Sequence, residues 1–145
     1  MAARDRLMER HRRMRIVGAH LGSLEFDLDA ISERFERHPN FAIDTGGRLG
    51  DLAYHGTKTR DFLMRYDDRV LWGSDLSIDP WNYPHERVPP ERWRWLADMY
   101  RLEWDYYTSD KPLTIEGRTT RGIHLPPAIQ ERFFRKNAQT WYPGL

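Results

Sequence analysis

Arg69-Val70-Leu71-Trp72-Gly73-Ser74-Asp75 is the stretch whose reading decides the fold. Three consecutive apolar residues, two small ones and then a carboxylate describe a buried parallel strand that runs into a loop. In an α/β sheet or barrel, chemistry is housed at the carboxyl ends of such strands. Asp75 stands there, and the Gly73-Ser74 stem lets a substrate or metal ion come close. An aspartate that merely caps a turn has the same local appearance, so the weight given to Asp75 depends on the rest of the chain.

Upstream, Arg15-Ile16-Val17-Gly18-Ala19-His20-Leu21-Gly22 has the same design, with a histidine where the strand should finish. Phe41-Ala42-Ile43-Asp44-Thr45 is a further strand and closes on Gly46-Gly47. Helical patterns lie between them. Leu28, Ile31 and Phe35 recur at helical spacing over 27–37, with Glu33, Arg34, Glu36 and Arg37 turned away, and His38-Pro39-Asn40 stops the helix. A loop through Arg48, Asp51 and His55 leads to a helix over 58–66 whose inner face is Phe62, Leu63 and Tyr66. A short exposed helix is predicted over 4–14. Helix-closing pairs at positions 10, 37 and 65 (Arg10-His11, Arg37-His38, Arg65-Tyr66) give a weak repeat close to the length of one βα unit. Strands alternating with amphipathic helices argue for an α/β fold with a parallel sheet or barrel.

Downstream the style changes. Residues 76–90 are rich in Pro, Trp, Tyr and His and read as a long ordered loop. Pro89-Pro90 opens a helix to about Tyr107, with Trp93, Leu96 and Tyr100 on one row and Trp95, Met99 and Leu102 on the next, a face broad enough to lie against the body. A hairpin or irregular loop around Glu116-Gly117 follows. A last helix from Pro126-Pro127 turns Ile129, Phe133, Ala138 and Trp141 inward.

At 145 residues the chain has the size of one domain, and 23 basic against 22 acidic residues leave a net charge of +1. No global field draws it to nucleic acid or membrane. The arginines of the first helix are therefore read as a solvated face, ahead of an RNA-binding arm. Without cysteine there is neither a disulfide scaffold nor a thiolate metal site. No apolar run has membrane-spanning length and the first residues lack an apolar signal core, so a cytoplasmic protein is expected.

His20 and Asp75 are the candidate site residues. In a parallel sheet the ends of their strands share one face, so the two side chains can converge despite their separation. Imidazole and carboxylate together suit a divalent metal or general acid–base work. Structural duty for a lone strand-end histidine is the plainer alternative.

Gly18-Ala19-His20-Leu21-Gly22, Phe41-Ala42-Ile43-Asp44-Thr45-Gly46, Val70-Leu71-Trp72-Gly73-Ser74-Asp75, Lys136-Asn137-Ala138 and Trp141-Tyr142-Pro143-Gly144-Leu145 together resemble the amidohydrolase-related (amidohydrolase 2) family of the metal-dependent hydrolase superfamily. That resemblance implies a (β/α)8 barrel and either hydrolysis or non-oxidative decarboxylation through a metal-bound water. It makes His20 the histidine ending barrel strand six, a ligand or an acid–base group. It makes Asp75 the aspartate ending strand eight, which binds the metal or its water. The helix of Asn137 becomes the last of the barrel, packed outside it.

The family's His-x-His pair and strand-five histidine have no counterpart here. His11 and His38 fall at helix ends before strands, while His55 and His85 fall in loops and match no family ligand. The chain thus resembles the C-terminal part, about three βα units (strands six to eight), of a TIM-like (β/α)8 barrel that normally takes about 250 residues, with a helical, aromatic-rich extension. The expected divisions are 1–83 for the βα units, 84–125 for the insertion and 126–145 for the final barrel helix. Two open sheet edges and an uncovered inner face are expected, partly screened by the aromatics after Asp75. The expected cofactor is a divalent metal, zinc first, provided that the missing ligands are supplied, because His20 and Asp75 are two and a catalytic zinc takes three. Arg48 and Trp81 are the candidates for contact with a small-molecule substrate, by bidentate binding of a carboxylate and by stacking, against ordinary loop packing. A complementary N-terminal half or a second copy is the expected partner. The alternative to a catalytic part is a non-catalytic interaction module derived from the same fold.

Overall fold

Three parallel strands, β1 (Ile16–Gly18), β2 (Phe41–Asp44) and β3 (Val70–Leu71), lie in the order β1-β2-β3, so neighbours in sequence are neighbours in the sheet. The computed structural model describes residues 2–77 and 88–144. Ile16, Val17 and Gly18 align with Phe41, Ala42 and Ile43, and Ile43 and Asp44 align with Val70 and Leu71. Because side chains alternate across a strand, one face presents Ile16, Phe41, Ile43 and Val70. The other presents Val17, Ala42, Asp44 and Leu71.

The first face is covered by α3 (Leu28–Arg37) and α5 (Thr57–Arg65), as the helical spacing predicts. Leu28, Ile31 and Phe35 of one and Phe62 and Leu63 of the other, with Tyr66, are buried in one cluster with Phe41, Ile43 and Val70. Phe35 meets Tyr66 edge-on at 4.9 Å between ring centroids. The Asp27 carboxylate caps α3 by accepting the Ala30 N–H at 2.9 Å, a contact worth about 1 kcal/mol. Met8 of α1 (Ala2–Arg10) is buried in the same cluster. The Asn40 amide ties the turn after α1 to the sheet by donating to the carbonyls of His11 and Met14, at 3.1 and 3.0 Å.

Two expectations change. The loop expected between Arg48 and His55 is instead α4 (Leu49–Tyr54). Leu49, Leu52 and Ala53 seat it on the core, but six residues are too few for periodicity to declare itself. The helix α6 (Pro90–Thr108) starts at the expected prolines, yet its buried residues all fall near its carboxyl end and much of its apolar face stays exposed. Glu103, Tyr106 and Tyr107 are buried, while Trp93 and Trp104 are 55% and 54% exposed. A helix of 19 residues overreaches a sheet whose strands have two to four. The hairpin β4 (Pro112–Ile115) and β5 (Arg118–Arg121) turns at Glu116-Gly117, both residues having positive φ (50° and 75°), as a tight hairpin turn requires.

The C-terminal segment is α7 (Pro127–Glu131), a π-helical stretch Arg132–Lys136 and α8 (Asn137–Trp141). It covers the outward edge of β3. The Trp72 N–H donates to the Phe133 carbonyl at 3.0 Å. The buried Asn137 amide donates to the carbonyls of Val70 and Asp67, at 2.8 and 2.7 Å. Trp141 Nε1 donates to the Asp68 carbonyl at 2.9 Å. Trp141 and Ala138 then pack on Val17, Ala42 and Leu71, the face opposite α3 and α5. The inner face and one edge, expected to be open or screened by the aromatics after Asp75, are thus covered by the last helix. That helix lies on the sheet face opposite α3 and α5, where packing outside a barrel was expected. No helix among the described residues is long and apolar enough to cross a membrane.

Replacing Asn137 with Ala leaves the Val70 and Asp67 carbonyls without their donor. The expected loss is about 1–3 kcal/mol of unfolding free energy, read from urea denaturation. Thr140→Ala, on the exposed side of α8, is expected to stay within about 0.5 kcal/mol of wild type.

Candidate functional site

The turn that leaves β2, Asp44-Thr45-Gly46-Gly47, is where the ends of all three strands meet. The Asp44 carboxylate accepts two backbone N–H groups on one oxygen: His20 at 2.9 Å and Gly46 at 3.0 Å. The Gly46 carbonyl lies 2.7 Å from His20 Nδ1. A carbonyl only accepts, so the neutral imidazole carries its proton on Nδ1 and presents a free lone pair on Nε2.

His20 occupies an unusual backbone. After β1 the chain makes one left-handed turn, α2 (Ala19–Ser23), with φ of 55° at His20, 55° at Leu21, 64° at Gly22 and 55° at Ser23. For residues other than glycine this conformation costs roughly 1–2 kcal/mol each. The surroundings hold it in place: Leu21 is fully buried, Asp44 takes the His20 N–H, and Arg4 donates to the Gly22 carbonyl. Burial lowers the Arg4 pKa, and the Arg34 charge lowers it further. A Cβ on Gly18 would fall 2.9 Å from Gly22 Cα and 3.0 Å from the Phe41 ring, so the small residue lets the turn fold back on its strand.

Asp75 is likewise left-handed, at φ 56°. Its approach is clasped to the β2 turn. The Thr45 hydroxyl donates to the Gly73 carbonyl and accepts the Gly73 N–H, both at 3.2 Å, and the Gly47 N–H donates to the Ser74 carbonyl at 3.1 Å. Burial, then the neighbouring Tyr106, push the pKa of the buried Tyr107 hydroxyl well above the usual phenol value, partly offset by Thr45. A Cβ on Gly47 would sit 3.1 Å from an Asp75 carboxylate oxygen. His20 Nδ1 and Asp75 Oδ2 end 4.0 Å apart, with 38% and 62% of their side chains exposed. The two residues singled out by sequence are therefore brought together at the carboxyl end of the sheet.

The others fall differently. Arg48 stands on the same turn, donating to the Gly47 carbonyl at 3.0 Å, with Glu25 and Asp51 carboxylates at 3.9 and 3.8 Å. Trp81 and His85 lie outside the described residues. His38 is buried at the end of α3, and His55 faces the Glu25 carbonyl at 2.8 Å.

Two further carboxylates belong to the site's surroundings, Asp44, read in the sequence only as a strand end on the converging face, and Glu103, which the sequence reading did not name. Asp44 ends its strand as Asp75 does, which was the signal for it. Glu103 lies three residues beyond Tyr100 on the apolar row of α6, and a charge in such a row was its signal. Buried Glu103 accepts the Trp72 Nε1–H at 2.9 Å. Burial raises its pKa above the ordinary 4.5, and the Trp72 hydrogen bond partly offsets this. The exposed end of the same helix touches the site loop, where the Ser74 hydroxyl donates to Tyr100 Oη at 3.3 Å.

As a metal centre the donor set falls short. His20 and Asp75 offer one nitrogen and one carboxylate, and among the described residues no three or more His, Cys, Asp or Glu side chains gather around a common point. A catalytic zinc takes three protein ligands. These residues alone do not fit one.

The model of the amidohydrolase family matches residues 1–144. The chain belongs to the amidohydrolase family. No curated protein and no solved structure matches it. Within this amidohydrolase chain, the pair that the family assignment makes interesting is the pair that the β2 turn assembles.

Glu103 gives the amidohydrolase chain a pH signature. With the folded-state pKa above 4.5, the native protein keeps a proton that the unfolded chain releases. The group's contribution to stability is complete below pH 4.5 and is lost as pH rises through the raised folded-state value. Relative to wild type, Glu103→Gln is expected to gain stability as pH increases from 4 to 7, in urea titrations at each pH.

Proposed function

We propose that this chain is the C-terminal portion of a metal-dependent hydrolase or non-oxidative decarboxylase, with β1, β2 and β3 as strands six to eight of a (β/α)8 barrel. The observation that carries the proposal is the 4.0 Å approach of His20 and Asp75 at the carboxyl end of parallel strands in an amidohydrolase-family chain. Sequential parallel strand order is compatible with a barrel sector.

In this reading the imidazole, with its Nε2 lone pair free, accepts and returns a proton at the reacting centre, and the Asp75 carboxylate stands beside Nδ1 of the same ring. A divalent ion, zinc first, would be held by His20 and Asp75 together with ligands from a complementary N-terminal half or a second copy, and would supply Lewis acidity there. Arg48 and Trp81 are the proposed contacts for a small-molecule substrate, and the cytoplasm is the proposed compartment. The divisions 1–83, 84–125 and 126–145 are proposed as barrel units, insertion and final helix.

A second reading, a non-catalytic interaction module, draws on a different observation: the segment 127–141 covers the β3 edge and the inner face, so the described fold buries its own core.

Zinc titration by calorimetry separates the two. The catalytic reading predicts weak one-to-one binding to the wild-type chain, reduced about tenfold or more by either His20→Ala or Asp75→Asn. Binding that is indifferent to both substitutions, or absent, overturns it in favour of the module.

A further inference from the structure

We infer that Asp44 is a positioning residue: its carboxylate locks the left-handed turn of His20 and so decides which imidazole nitrogen is free. The inference rests on the proposed proton-transferring role of His20 for its use, but not for its test.

Three hydrogen bonds close on one another here. Asp44 Oδ1 takes the N–H of His20 and the N–H of Gly46, and Gly46 returns its carbonyl to His20 Nδ1 at 2.7 Å. The carboxylate thus holds both the backbone that carries the ring and the carbonyl that binds it. Space around this circuit is tight: a Cβ on Gly46 would lie 3.2 Å from Asp44 Oδ1 and 3.6 Å from His20 Nδ1. A left-handed histidine has no intrinsic preference to stay so. Deleting the acceptor strands one N–H in the left-handed turn and one in the turn that leaves β2, and the ring loses the fixed carbonyl that favours the Nδ1–H form. Asp44 itself is aimed into the candidate site by β2, on the face of Ala42 and Leu71. Tyr142 is close enough for the Asp44 charge, after burial, to raise its phenol pKa.

The test is nitrogen NMR of the full ¹⁵N-labelled chain at alkaline pH, where the imidazoles are neutral, with His20 identified by the signal missing from His20→Gln. Wild type is expected to show His20 as the Nδ1–H tautomer. Asp44→Ala is expected to replace that pattern with averaged ring shifts and to speed amide exchange at His20 and Gly46 by about tenfold or more, the scale of a lost charge-assisted bond. Thr45, whose N–H pairs with the Leu71 carbonyl at 3.1 Å, should keep its protection. Asp44→Asn retains one acceptor oxygen; it should keep the tautomer while His20 and Gly46 exchange severalfold faster. Wild-type-like tautomer and exchange at both amides in Asp44→Ala overturn the inference. If Asp44→Ala fails to fold, unchanged exchange of the two amides in Asp44→Asn overturns it, and faster exchange confined to them supports it. No readout involves turnover, so a chain without hydrolytic activity still tests Asp44, and a displaced tautomer leaves the zinc experiment standing.

Discussion

One carboxylate oxygen receiving two N–H groups from different loops is the constraint on which the carboxyl end of this sheet depends. Asp44 Oδ1 joins the exit of β1 to the exit of β2, and the Thr45 hydroxyl joins the exit of β2 to that of β3. The strands themselves are short, with ladders of three residue pairs and two. Backbone pairing alone would leave their ends free to splay. Adjacent residues of one turn prevent this, Asp44 reaching one neighbour and Thr45 the other.

The cost of the arrangement is concentrated where the candidate side chains are. His20, Leu21, Ser23 and Asp75 all have φ between 55° and 56°, a region that L-residues other than glycine avoid. Such outliers persist only when the surroundings over-determine them. Burial of Leu21, the Arg4 contact to Gly22 and the clasp of Gly73 and Ser74 supply that over-determination. It matters for the choice between a functional and a structural reading of His20. An ordinary core histidine needs no strained backbone and is not 38% exposed, whereas a group held for chemistry commonly is strained.

Much of this was legible in the sequence because it depends on local pattern. Short apolar runs leading into glycines identified the three strands, and Leu28-Ile31-Phe35 and Phe62-Leu63-Tyr66 identified the helices that cover them. Parallel pairing follows from the alternation, and the convergence of His20 with Asp75 follows from parallel pairing. What was not legible depends on distant partners. A six-residue helix such as α4 forms because Leu49, Leu52 and Ala53 meet a surface made by other segments. Asn137 reads as a neutral helix residue, and its duty on the Val70 and Asp67 carbonyls exists only once the helix is docked. The left-handed turn is hidden too, since His20, Leu21 and Ser23 are residues that no turn rule would place at positive φ.

The covered β3 edge and the partial donor set pull in different directions, and their geometry reconciles them. The segment 127–141 holds the chain from just before β3 to just after it, through Asp67, Asp68, Val70 and Trp72. It leaves the stretch from Gly73 to Asp75 to be held by the β2 turn. Sealing of the sheet and assembly of the His20–Asp75 pair are therefore carried by separate contacts along consecutive stretches of the chain, 67–72 and 73–75. Stability of the fold without a partner then decides nothing about whether the pair serves chemistry. What bears on that question is confined to the carboxyl end, where the Asp75 carboxylate stands 4.0 Å from His20 Nδ1 and the imidazole keeps its Nε2 lone pair free.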